Sequence, residues 1–179
     1  MPLVKNGVWV LAAVFAAGAG VMDWRWRRLP NWWTIPGLLV GVMANAAAGG
    51  WPGAKSAFAG AALGLLLLLP LVVIRSLGAG DWKLVGALGA FLGPEPLLRV
   101  LAVAIVVAGV MGIALAIYKG RLRETLVNMG HMLAAFFTLR LPGPALTLEN
   151  PQALKVPFGV AAAVAAIAYV GARFVFGVV

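Results

Sequence analysis

The chain has 179 residues, 63% of them hydrophobic and 11% charged, with a mean hydropathy of +1.01, a composition that excludes a water-soluble globular domain and defines an integral membrane protein. Its net charge of +9 comes from Lys and Arg set between apolar runs, which argues against a nucleic-acid face and for loops that record membrane orientation. Cysteine is absent, which excludes disulfides, thiolate zinc sites and a thiol nucleophile, and the one histidine, His131, cannot form a metal site alone.

Apolar runs fall at about 7–22, 33–49, 57–74, 82–93, 97–118 and 157–178, and most approach the ~20 residues a helix needs to cross hydrocarbon. They predict an all-α polytopic membrane protein of about six transmembrane helices, forming a single domain over 1–179. The first run follows Lys5 and ends in small residues near Ala17, Gly18 and Ala19, as a cleavable signal would. Its length and the aspartate directly after it favour a retained helix. Pairs such as Gly37 and Gly41, Gly60 and Gly64, and the alanine-rich stretch from Ala161 to Ala168 are read as close helix packing.

The fourth run is short: about 12 residues reach only ~18 Å. It must begin upstream near Ser76, sit in thinned bilayer, or leave its Asp81 end in a wet cavity. The connection from Lys119 to Val156 is the long one. Within it, 125–139 carries Asn128 and His131 between Arg123 and Arg140 and reads as a helix lying in the interface; a seventh crossing is the alternative. With six crossings, ten of the fourteen Lys and Arg fall on one side and Lys5, Lys55, Arg99 and Arg173 on the other. That asymmetry places Asp23, Asp81 and the loops around them at the cytoplasmic face.

Asp23 and Asp81 are the two aspartates of the chain, and each stands at the edge of an apolar run. Carboxylates at membrane depth cost on the order of ~2.5–3.5 kcal/mol even on lenient scales, so they are functional candidates. Two carboxyls that share a proton can hydrolyse a peptide, one acting as base toward water and the other polarising the carbonyl. Each also has a plainer reading. Asp81 could be a first-turn acid favoured by the helix dipole, and Asp23 part of a solvated cluster with Arg25, Arg27 and Arg28. Gly78 and Gly80, just before Asp81, are read as supplying positive φ, a tight helix entry and room for an extended substrate. Trp24, Trp26, Trp32, Trp33 and Trp82 read as an aromatic belt, and Lys83 as snorkelling to headgroups. A proton- or cation-coupled transporter using the two aspartates is the alternative function, although carriers usually hold such groups near the midplane of a repeated architecture.

The segments around the aspartates together resemble the type IV prepilin peptidases, membrane aspartyl proteases of the GxGD class. Asp23, Arg25, Arg28, Pro30 and Asn31 fit the first motif, D-x-R-x-R-x-I-P-N, with the arginines placed to within one residue; Gly78, Gly80, Asp81, Lys83 and Leu84 fit the second, G-x-G-D-x-K-L. The stretch Lys155-Val156-Pro157-Phe158-Gly159-Val160-Ala161 is similar to a third, K-x-P-[YF]-G-x-A. The resemblance implies a bacterial inner-membrane endopeptidase with Asp23 and Asp81 as its catalytic pair. It would remove short basic leaders from prepilin-like proteins at the cytoplasmic face, with no cofactor or metal. Larger members carry a cysteine-paired insert and also N-methylate the new terminus; the absence of cysteine and the short first loop resemble instead the small enzymes of tight-adherence (Flp) pilus systems. A basic leader would be repelled by Arg25, Arg27, Arg28 and Lys83, which leaves backbone pairing or acids such as Glu124 to capture it.

Overall fold

The computed structural model describes residues 2–137, 154 and 156–177, and every regular element among them is an α-helix. Side chains of 2–5, 132, 133 and 135–137 are outside the described set. The helices are α1 (Pro2–Trp26), α2 (Asn31–Val73), α3 (Ala79–Leu92), α4 (Pro94–Tyr118), α5 (Leu122–Phe137) and α6 (Phe158–Phe176). Four of them, α1, α2, α4 and α6, are long and apolar enough to cross a membrane. Their outer faces show Val14, Val21, Leu39, Met43, Ile105, Val106 and Val110 to the surroundings. Such a continuous apolar surface suits lipid and not water.

α2 holds 43 residues because it joins two of the expected runs, with a break at Gly50 (φ 60°, ψ −145°). Only glycine takes that backbone without strain. The chain reverses there. The first arm runs in the same direction as α3, since Asn31 meets Lys83 and Asn45 meets Ala90; the second runs the opposite way, since Leu65 meets Trp82 and Gly60 meets Gly89. The six apolar runs therefore each appear as helix, in the expected order. The boundaries differ where helix propensity outlasts hydropathy: Trp24, Arg25 and Trp26 continue α1 beyond its apolar run, and only 27–30 separates it from α2.

α3 is held between the two arms of α2. Its residues from Leu84 to Leu92 are all buried, as expected of a helix apolar on every side. Glycine allows the approach: a Cβ on Gly60 would overlap the Gly89 carbonyl oxygen and lie 2.8 Å from Gly93 Cα, and one on Gly64 would lie 2.9 Å from Val85 O. Without a hydrophobic driving force in lipid, such close van der Waals packing holds helices together. Asn45 adds a polar tie, its Nδ2 donating to Ala90 O at 2.8 Å and Phe91 O at 2.9 Å, carbonyls of the last turn of α3 that lack intrahelical donors.

α1 lies antiparallel to α6, with Trp9 beside Tyr169 (centroids 5.9 Å apart) at one end and Asp23 beside Gly159 at the other. The α6 alanines facing this contact, including Ala162, Ala163 and Ala166, are buried. α5 has one apolar and one polar side. Its 16 described residues reach ~24 Å, and among the described residues it is not one of the helices long and apolar enough to span. The expected 125–139 helix is present as far as Phe137; its last two residues lie outside the described set.

Candidate functional site

Asp23 is in the last turn of α1 and Asp81 in the first turn of α3, and both line one cleft of about 420 Å³ at the same end of the bundle. Its remaining walls are Arg27, Arg28, Leu29, Pro30 and Asn31 from the α1–α2 turn, and Gly78 and Gly80 from the entry to α3. Arg27 ends α1 in left-handed backbone (φ 52°), and Pro30, extended at φ −74°, starts α2. This sharp turn brings the whole Arg27–Asn31 stretch across the mouth of the cleft.

Asp23 is buried, 6% exposed, and its Oδ2 accepts a hydrogen bond of 2.8 Å from the main-chain N–H of Gly159. The contact requires glycine: a Cβ at 159 would lie 2.8 Å from Asp23 Cβ and 2.9 Å from its Oδ2. Asp81 is half-buried and lies near Gly78, where a Cβ would stand 3.3 Å from Asp81 Oδ2.

Of the residues singled out from sequence, the cleft brings together Asp23, Arg28, Pro30, Asn31, Gly78, Gly80 and Asp81. Arg25 does not line it; its guanidinium lies 6.0 Å from the Trp26 ring centroid on the outer surface. Lys83 is also outside the cleft, and in place of the expected snorkelling its Nζ donates to Asn31 Oδ1 at 2.8 Å, tying the second motif to the first. Lys155 of the third motif lies outside the described residues.

Three readings need correction. Gly78 has φ −70° and Gly80 is absent from the positive-φ residues, so neither supplies left-handed backbone. Gly80 serves by its size, because a Cβ there would lie 3.1 Å from Leu29 Cβ and 3.2 Å from Leu29 O. Its close neighbour is the chain's own turn. Trp33 and Trp82 also leave the aromatic belt: Trp33 stacks on Phe15 (5.7 Å, 6°) and Trp82 Nε1 donates to Leu65 O at 2.7 Å, whereas Trp24, Trp26 and Trp32 are exposed. Finally, of the ways offered to accommodate a short α3, an upstream start near Ser76 is not taken, since the helix begins at Ala79; its Asp81 end opens on the cleft.

Outside the cleft, Glu124 is bonded to Arg121, with Arg121 Nε donating to its Oε2 at 2.8 Å, and these hydrogen bonds hold its carboxyl below the ordinary range. Glu95 pairs with Arg99 in the open, and His131 is exposed on α5. Motif reasoning passed over Leu29 as a cleft wall and Gly159 as the partner of Asp23, and it left open which arginines would line the cleft, which are Arg27 and Arg28. The third motif carried the signal for Gly159 without revealing which residue it would meet. Among the described residues no cluster of three or more His, Cys, Asp or Glu could hold a metal.

Two acids from separate helices in one cleft of a membrane bundle define a candidate intramembrane hydrolase site of the aspartyl type. Residues 9–113 match the type IV leader peptidase family, and the chain belongs to that family. It is similar to a prepilin leader peptidase/N-methyltransferase of Xanthomonas campestris pv. campestris, 34% identical over 138 residues that cover 72% of this chain and 46% of the relative. Proteins of the same description from two strains of Burkholderia pseudomallei are each 35% identical over 132 residues, covering 69% of this chain and 41% of their own length. The chain thus spans under half the length of these curated relatives. No solved structure matches it.

Proposed function

We propose that this chain is a membrane aspartic endopeptidase that removes the leader from prepilin-like proteins, with Asp23 and Asp81 as the catalytic pair. The observation that carries the reading is the convergence of the two carboxyls from α1 and α3 on one cleft. Carboxyls close enough to interact ionise in two steps that belong to the pair, leaving one charged and one protonated over a range of pH. That state suits hydrolysis. The family match and the names of the relatives speak for a peptidase, and nothing in them supports the carrier.

The cleft is read as cytoplasmic. Arg25, Arg27, Arg28, Arg75, Lys83 and Lys119 belong to helix ends on its side, whereas Lys55, Arg99 and Arg173 belong to the opposite end, an asymmetry that favours the cytoplasm for the richer side. Residues 27–30 are the whole connection between α1 and α2, and methyl transfer forms no part of the proposal.

The direct test is cleavage by purified protein in detergent. A synthetic prepilin segment comprising leader and following helix should be cut in the presence of a chelator, without nucleotide, methyl donor or membrane potential. The rate should be bell-shaped in pH, one limb lost when the base is protonated and the other when the acid is not. No product at any pH would overturn the reading, and gradient-driven ion flux in sealed vesicles would replace it with the carrier.

A milder expectation concerns Gly80. Gly80→Val should reduce prepilin processing severalfold more than it reduces the membrane abundance of the protein, because its side chain must displace Leu29 and with it the Arg27–Asn31 wall. Processing measured per unit of immunoblotted protein checks this. Wild-type turnover in Gly80→Val would show that the close approach to Leu29 is dispensable.

A further inference from the structure

The two aspartates are supported unequally. Asp23 accepts the 2.8 Å hydrogen bond from Gly159 N–H at the start of α6, where the N–H groups of the first turn have no intrahelical acceptor. The charged groups facing Asp23 are Arg27 and Arg28 from the α1–α2 turn and Asp81 from α3; the described start of α6 brings none. No hydrogen bond to Asp81 is found among the described residues; the charged groups that share its cleft are the Asp23 carboxyl of α1 and Arg27 and Arg28 of the α1–α2 turn. Hydrogen bonds donated to a carboxylate stabilise its charged form. A carboxyl without donors that faces a charged neighbour is the one to keep the shared proton.

Resting on the peptidase reading, we propose that Gly159 is a positioning residue that holds Asp23 as the standing carboxylate, so that Asp23 is the base toward water and Asp81 the proton donor to the scissile carbonyl. Asp23 removes one proton from water as the water oxygen bonds to the carbonyl carbon, and Asp81 gives its proton to the carbonyl oxygen. Collapse of the resulting gem-diol breaks the C–N bond. The proton held by Asp23 passes to the departing amine, one hydroxyl proton of the diol returns to Asp81, and both side chains regain their starting states. The third motif thereby gains a role in the chemistry, since its glycine brings an N–H within bonding distance of Asp23 at a place where any side chain would collide with the carboxyl.

The test is made on the whole protein in detergent. Dicyclohexylcarbodiimide reacts with protonated carboxyls, so labelling across a pH series, with the site read by peptide mass spectrometry, ranks the pair. Labelling of Asp81 is expected to persist to higher pH than that of Asp23, and the reverse order would overturn the proposal. This readout needs neither turnover nor a variant. It can fail while cleavage succeeds, and it remains decisive if Gly159→Ala does not accumulate.

A second arm compares Gly159→Ala with Gly20→Ala. The latter crowds the same α1–α6 contact one turn away, its Cβ falling 2.7 Å from Ala163 Cβ, without touching a carboxyl. Gly159→Ala should lower kcat by about tenfold, the scale of one weakened hydrogen bond to a charged group, and move the acid limb of the pH profile upward. Gly20→Ala should lower yield and leave that limb in place. An unmoved limb in Gly159→Ala, or an equal movement in both variants, would reduce Gly159 to a packing residue.

Discussion

Asp23→Asn and Asp81→Asn are each expected to abolish prepilin cleavage, with a loss of at least about 10³-fold, since neither amide can take or give the proton that the reaction moves. Both proteins should still insert and fold. Asn is nearly isosteric with Asp, and at position 23 its carbonyl oxygen can accept the Gly159 N–H that Asp23 Oδ2 accepts now. The double variant should be no worse than either single one, because groups that act as a unit fail together. Initial rates on the synthetic substrate, normalised to folded protein, measure all three. Substantial cleavage by either single variant would remove that aspartate from the mechanism and leave the cleft without a hydrolytic pair.

The largest expected effect on stability is at the crossing of α2 and α3. Gly60→Leu or Gly89→Leu would place a side chain where each glycine now touches the backbone of the other helix. Backbone cannot step aside as a side chain can. The helices must separate, weakening Trp82 Nε1 to Leu65 O and the contact of Gly64 with Val85. Overpacking of this kind costs about 1–3 kcal/mol, and more where no rearrangement relieves it. The fraction surviving heating in detergent, followed by size-exclusion chromatography, should fall sharply for both variants. Gly109→Ala on α4, with nothing within 4 Å of the added Cβ, serves as the unchanged reference. Heat resistance equal to wild type in Gly60→Leu would contradict the tight crossing.

Much of this was legible in the sequence because lipid imposes simple demands. A helix must be long and apolar, and a charge must have a reason to be there; that was enough to order the apolar segments and to select Asp23 and Asp81 from a chain with five acids. The glycine pairs on α2 also read correctly, since small residues at helical spacing indicate close approach whatever the partner. What stayed hidden was which partner. Nothing local says that Gly80 meets Leu29, that Gly159 meets Asp23 across 136 positions, or that Lys83 reaches Asn31. Trp33 and Trp82 misled for a related reason: tryptophan suits the interface and the interior equally, and only the neighbouring Phe15 ring and the Leu65 carbonyl decide between them. The glycines before Asp81 invited a conformational explanation where the cause was steric.

The length of α3 has a consequence for any peptide that reaches Asp81. Its 14 residues measure ~21 Å against a hydrocarbon thickness of ~30 Å, a shortfall of about 9 Å shared between the hollows at its two ends, of about 420 Å³ beside Asp81 and 360 Å³ beside Leu92. Set in a bilayer of that thickness, α3 would leave Asp81 within that distance of the hydrocarbon boundary. An extended strand descends 9 Å in about three residues, whereas a helix would need about six. On the peptidase reading, a peptide extended over its last few residues reaches Asp81 with half the residues a helix would need, so the ease with which a segment gives up helix beside its cleavage point becomes part of how it would be chosen.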